Sequence, residues 1–273
     1  AFELLPSAPC AAAADPTHIA CRLDRERYRS LRPESDSNSL RLHWSRPLDA
    51  EETTELHVSL RSARTDSRMS AAPMTLWNLP LPPGDAHRDV ADAVGHAFHD
   101  VGPVVSRNRV VVFDGMVGLR FAFRSWDMNA ELSHASHRVD SRVQGVVRGP
   151  AVLQAIESGS YRFDGSPNSA ATLRSIASPL DTAGSSSVDT ASLRGVGTAG
   201  RWRGGQLRAA AGVDVLHERL DYRPDPFFAD PGLAAPLEIS VHGHTRRVAA
   251  FGELELPFGE RLWLEAAGRL DRT

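Results

Sequence analysis

The stretch Gly205–Tyr222, GQLRAAAGVDVLHERLDY, decides the fold. Leu207, Ala209, Ala211, Val213 and Val215 fall on one face, and Arg208, Asp214 and Glu218 on the other. A period of two is the mark of a β-strand. Arg246–Phe258, RRVAAFGELELPF, repeats the pattern: Val248, Ala250, Leu254, Leu256 and Phe258 share a face, while Glu253 and Glu255 point away. After a tight turn at Gly259-Glu260, Arg261–Asp271 (RLWLEAAGRLD) alternates Leu262, Leu264, Ala266 and Leu270 with Arg261, Glu265, Arg269 and Asp271. Charge recurring on one phase means that face is wet. A soluble sandwich would bury the apolar phase against a second sheet; a membrane barrel would turn it to lipid and keep a polar lumen.

Working outward, the 273 residues suffice for one large or two small domains, and the net charge of −3 implies no nucleic-acid partner. All 31 basic residues are arginine. No apolar run reaches the ~18 residues of a spanning helix, which leaves barrel strands of about 10 alternating residues open. The chain opens at Ala1 without a leader and stops at Thr273 as a strand finishes, so it reads as an internal length of a longer protein.

Along the chain, residues 1–37 read as a loop holding Cys10 and Cys21. The pair suggests a disulfide pinning a loop in an oxidising compartment, or two unrelated thiols; two cysteines do not make a zinc site. Ser39–Arg46 and Thr54–Ser62 form a first hairpin, with Trp44 either an interfacial or a core tryptophan. In the excursion 63–105, Arg88–Val101 is expected as an amphipathic helix carrying His96 and His99, whose HxxH spacing lacks the flanking Glu of a zincin motif. Val104–Arg124 and Asp127–Arg138 give a second hairpin around Ser125-Trp126-Asp127, with His134 and His137 as exposed strand-end residues. In the loop 139–188, Pro150–Ser158 and Asn168–Ala177 read as short helices, the second capped by Asn168, and Gly184–Ser187 as a flexible link.

Thr190–Arg203 and Gly205–Tyr222 make the third hairpin. Here Gly195, Gly197 and Gly200 match GxGxxG, but a dinucleotide site needs a buried strand before the motif and a helix opening within it, and this context offers neither. Glycines in a strand instead permit close approach. The loop 223–242 carries Phe227-Phe228, which touch a ligand or pack the loop's own interior, and His242 and His244 flank Gly243 in a pair that could capture a metal. No catalytic arrangement stands out. The expectation is therefore all-β: an antiparallel up-and-down transmembrane β-barrel segment of about eight strands in four hairpins, with short links inside hairpins and long extracellular loops between them.

The pieces RAAAGVDVLHERLDYRPDP and RRVAAFGELELPFGERLWLEAAGRLDR resemble the β-barrel of TonB-dependent outer-membrane receptors. That family's strands run G-x-L-x-A-A-x-G-x-E-x-R-x-E, then V-x-A-A-Y-x-E-L-x-V-P-L, then A-x-R-x-D. Asp214 stands where the family usually has Glu, and His217 near its usual Arg. The resemblance implies that residues 1–273 are part of a barrel of about 22 strands, with the plug domain outside this length. It implies a transporter rather than an enzyme, in the outer membrane of a Gram-negative bacterium. Its expected task is active uptake of a siderophore, cobalamin or oligosaccharide, energised by the TonB complex through the plug. No cofactor is implied, and the substrate-binding residues stay unknown. The expected partners are an extracellular small molecule and outer-membrane lipid. It tilts Cys10 and Cys21 toward a loop disulfide. It makes Arg120, Glu131, Arg208, Asp214, Glu253, Glu255, Arg261 and Arg269 lumen charges. A soluble secreted all-β binding module and a passive porin are the alternatives.

Overall fold

The computed structural model describes residues 25–81, 93–163, 166–202, 205–228, 240–258 and 262–273. Cys10, Cys21 and Arg261 lie outside them. The chain is all-β, and the described residues form ten strands: β1 (Glu34–Pro47), β2 (Thr54–Ala71), β3 (Thr75–Pro80), β4 (Ala93–Ala97), β5 (Val104–Phe123), β6 (Trp126–Gln144), β7 (Leu180–Trp202), β8 (Gly205–Arg223), β9 (Val241–Pro257) and β10 (Trp263–Arg272). Helices α1 (Gly149–Glu157) and α2 (Ala170–Ile176) lie between β6 and β7, and a 3-10 turn, Glu26–Tyr28, precedes β1. One eight-stranded sheet has the order β1-β2-β5-β6-β7-β8-β9-β10, and β3 pairs with β4 in a separate ribbon. Neighbours in the large sheet are consecutive hairpin strands, apart from the step from β2 to β5 across the β3–β4 ribbon.

The chain divides into two compact units. Unit 1 comprises 1–36, 66–108 and 141–182; unit 2 comprises 37–65, 109–140 and 183–273. Unit 1 has an apolar core drawn from the β3–β4 ribbon, α1, α2 and the segment after α1. Phe98, Val152, Ile156, Tyr161 and Ile176 are all at most 1% exposed. The expected helix over Arg88–Val101 is overturned where described: Ala93–Ala97 is β4, antiparallel to β3. Its burial explains why. Val94, His96 and Phe98 are buried together, a period of two, and Gly95 lets the Trp77 ring lie across the backbone where a Cβ would collide with it.

Both short helices are present. The cap of α2 is Ser169, whose Oγ accepts from Thr172 N at 3.0 Å, and not Asn168. Asn168 instead accepts from Arg162 N (2.8 Å) and donates to Arg162 O (3.1 Å), bracing the turn before the helix. The expected link at Gly184–Ser187 is strand: β7 begins at Leu180 and pairs with β8 from Ala183 onward. The β5–β6 turn is Arg124-Ser125, with Arg124 in the left-handed region (φ 59°), and Trp126 already belongs to β6.

Candidate functional site

In unit 2 the register of β7–β10 assigns every side chain to a face. One face reads, row by row, Ala191–Val215–Val248–Arg272, Leu193–Val213–Ala250–Leu270, Gly195–Ala211–Gly252–Gly268 and Gly197–Ala209–Leu254–Ala266, with Leu256 opposite Leu264 beyond. The other face reads Ser192–Asp214–Ala249–Asp271, Arg194–Gly212–Phe251–Arg269, Val196–Ala210–Glu253–Ala267 and Thr198–Arg208–Glu255–Glu265. The apolar phase is not covered: Leu193 is 41% exposed, Val213 48%, Val248 44%, Leu264 55% and Leu270 80%.

The polar face is an ion-pair ladder. Asp214 accepts from Arg194 Nη2 (3.2 Å) and Arg269 Nη1 (3.5 Å), and Arg269 Nε donates onward to Asp271 (3.0 Å). Gly212 makes room for the Phe251 ring, which a Cβ there would meet at 2.5 Å, and the Arg194 guanidinium lies 6.0 Å from that ring's centre. Further along the sheet Arg120 faces Glu55 at 3.6 Å and Arg61 faces Asp114 at 3.8 Å. Glu131 accepts from Asn129 Nδ2 at 2.8 Å and stands 3.7 Å from His57 Nε2. His57, which the sequence does not single out, is buried over Gly118, and neither ring nitrogen has a hydrogen-bond partner among the described residues. The expected wall charges Arg120, Glu131, Arg208, Asp214, Glu253, Glu255 and Arg269 thus share the polar face. Of these, Asp214 and Arg269 pair with each other, Arg120 with Glu55, and Glu131 with Asn129.

The GxGxxG match lies wholly inside β7, with no turn or helix at it. Gly195 seats the Met128 thioether, which a Cβ would meet at 2.5 Å, and Gly197 lies against Ser125 O and Trp126. Ala199 is an extra residue in the pairing of Thr198 and Gly200 with Arg208 and Leu207; this bulge brings Trp202 opposite Gly205, onto the apolar phase. Trp44 is 44% exposed, which removes the core reading for it.

The histidine pairs have separate fates. His96, in unit 1, is buried and hydrogen-bonded through Nε2 to Tyr161 Oη at 2.8 Å. Tyr161 Oη is 3.0 Å from Asp100, and its single proton goes to that acceptor-only carboxylate, so His96 Nε2 is the donor in its own bond. Asn168 Nδ2 closes the chain onto Asp100 at 2.9 Å. His99 turns back to the carbonyl of Ala97 at 3.1 Å. In unit 2, His134 Nδ1 meets Asp189 at 2.7 Å and His242 Nδ1 meets Asp221 at 3.0 Å, while His244 stands opposite Arg219. Among the described residues no three His, Cys, Asp or Glu side chains converge as a metal site would require. Phe227 and Phe228 stack edge to face, ring centres 5.7 Å apart, above an Asp225 turn that bonds both backbone amides.

In the β1–β2 turn, the Thr53 hydroxyl donates to Asp49 Oδ2 and Thr54 N to Oδ1 at 3.2 Å. The Thr53 bond, ahead of the others, holds the Asp49 carboxyl below its ordinary range. No helix of the described residues is long and apolar enough to cross a membrane, a criterion that does not apply to barrels. Compared with known protein families and with curated protein sequences, the chain matches none.

Proposed function

We propose that the large sheet is a length of outer-membrane β-barrel wall, and that the protein is a TonB-dependent receptor importing a scarce nutrient of the siderophore, cobalamin or oligosaccharide class. The observation that carries this reading is the register-matched division of β7–β10 into an uncovered apolar face and a charge-paired polar one. From Val248 to Leu256 the apolar rows rise about 27 Å along the strand. At a barrel's tilt of about 40° that is roughly 20 Å along the membrane normal, close to the ~25 Å band of such walls. Trp126 and Trp202 stand by the short turns, at the lower edge of the rows, where an aromatic girdle would lie. A sandwich is disfavoured because it would cover side chains such as Leu270, which is 80% exposed.

In this reading the polar face lines the lumen and contacts a plug. The TonB complex is the energy source, and the structured segments between hairpins face the extracellular ligand. The deciding experiment is uptake of labelled ferric siderophores, cobalamin and oligosaccharides by cells with and without the gene, before and after a protonophore. Gene-dependent uptake that stops with the protonophore supports the receptor. Uptake that persists makes it a passive porin, and recovery of the protein from the aqueous fraction removes the membrane reading altogether.

A further inference from the structure

In unit 1 the β3–β4 ribbon presents an aromatic ring that the core does not use. Leu76 pairs with His96 and Leu79 with Val94, so Trp77 and Asn78 together stand opposite the single residue Gly95. Two residues against one make a β-bulge. Leu76 and Leu79 are an odd number of residues apart and would lie on opposite faces of a regular strand. Across the bulge, Leu76 packs against the core and Leu79 is buried in it, while Trp77 and Asn78 are both exposed.

Asn78 holds a left-handed backbone, φ 59°, which costs every residue but glycine. A bulge combined with such strain marks a place where a fold re-aims a side chain. Here that side chain is Trp77. Its Cε3 and Cζ3 lie 2.3 and 2.4 Å from where a Cβ of Gly95 would stand, so glycine at 95 is what lets the ring settle on the backbone. The residue nevertheless stays 54% exposed. The result is a flat, fixed platform on a ribbon anchored by its other face.

The ligand class follows from charge. The two strands, TLWNLP and AVGHA, hold no Asp, Glu, Lys or Arg, and their one histidine, His96, is buried against Tyr161. A cation on the ring would find no counter-charge on the ribbon, and an anion would find no guanidinium. A neutral pyranose suits both exposed groups. Its axial C–H bonds turn partial positive charge toward the negative face of the indole. Its neighbouring hydroxyls match the donor and acceptor of an Asn amide.

We propose that Trp77 and Asn78 form a carbohydrate-binding site, with a neutral pyranose of equatorial hydroxyls stacked on the indole and hydrogen-bonded to the amide. An equatorial set leaves the C–H bonds as an unbroken flat face, which an axial hydroxyl would interrupt. The site goes beyond the receptor reading and does not rest on it, because the ribbon and the core that holds it both belong to unit 1.

The test is saturation-transfer NMR on the full-length protein, in a detergent without a sugar head group, with cellotetraose as the probe. Saturation should reach the axial C–H protons of the sugar. Sorbitol, which has the hydroxyls but no ring face, should show none. Trp77→Ala removes an exposed ring and should weaken binding about tenfold. Asn78→Gly separates binding from folding: glycine adopts the left-handed backbone without strain, so the variant should keep its melting temperature and yet bind severalfold weaker. Equal transfer to sorbitol overturns the stacking. No binding of cellotetraose, or unchanged affinity in Trp77→Ala, overturns the site, and unchanged affinity in Asn78→Gly overturns the role of the amide. Cellotetraose binding without gene-dependent nutrient uptake overturns the receptor reading and leaves the site standing.

Discussion

Replacing Ala211 by arginine separates a lipid-facing sheet from a water-facing one. Ala211 lies in the middle apolar row, flanked by Gly195 and Gly252, and is exposed. If water covers that face, an arginine there changes stability by no more than about 0.5 kcal/mol. If hydrocarbon covers it, the residue sits near the bilayer midplane and the cost is about 2–4 kcal/mol. At ~1.4 kcal/mol per decade, that is roughly 30- to 700-fold in the folding equilibrium. The adjacent Ala210 is the control: it points to the polar face, opposite Glu253 on β9, so Ala210→Arg gains a counter-charge and should be near neutral. Val215→Arg, in the last apolar row before His217, should cost only about 0–1 kcal/mol because depth sets the penalty. The assay is urea titration of the full-length protein in phospholipid bilayers, read by the mobility of unboiled samples on a gel. Equal shifts for Ala211→Arg and Ala210→Arg would refute the assignment of faces. A neutral Ala211→Arg would refute lipid as what covers the apolar one.

Two further outcomes follow from local geometry. Gly118 lies directly under the buried His57 ring, where an added Cβ would collide with Nε2. Gly118→Ala should therefore cost about 1–3 kcal/mol of overpacking and almost nothing in a His57→Ala background, a coupling that a double-mutant cycle reads directly; an unchanged cost in that background would show that the ring is not the obstacle. Asp49 supplies a pH dependence: its folded pKa lies below the ordinary 3.8, so its stabilisation is present above that value and is lost as pH falls through the folded pKa. The stability difference between wild type and Asp49→Asn should be flat near neutrality and shrink only below pH ~4, and a difference that fades nearer pH 6 would point to another group.

The sequence discloses β8, β9 and β10 because one phase of each is apolar and the other charged, which is the contrast a period-two reading detects. It discloses much less of β2, β6 and β7. These run to Ala71, Gln144 and back to Leu180, through residues such as Arg64, Asp66, Arg142 and Ser185 that are polar on both phases. Backbone pairing continues there without leaving a hydrophobic trace. The core of unit 1 is illegible for a different reason: Leu79, Phe98, Ile156, Tyr161 and Ile176 come from separate segments, and only tertiary contact joins them. Nothing local marks Tyr161, Asp100 and Asn168 as one hydrogen-bonded chain with His96. Gly195 and Gly197 were legible by exclusion, since the motif lacked its strand–turn–helix setting, and Met128 and Trp126 supply the positive reason for them.

The place where the alternation fades carries information of its own. On β7 it falls between Ala191 and Asp189, on β8 between Val215 and His217, and on β9 between Val248 and Arg246. Those positions are unrelated in sequence, yet the register sets Asp189, His217 and Arg246 in a single row. On β6 the change comes between Leu132 and His134, and the hydrogen bond from His134 to Asp189 ties it to that same row. In water, apolar endings align across a sheet where a covering layer ends, and this face is exposed at Leu193, Val213 and Val248. A planar boundary between hydrocarbon and head groups imposes such an alignment on every strand that crosses it. The transitions on β6, β7, β8 and β9 share one row, and on β10 the charge comes one row sooner, with Arg272 opposite Val248; the alignment across those four strands is what supports the proposed membrane surface.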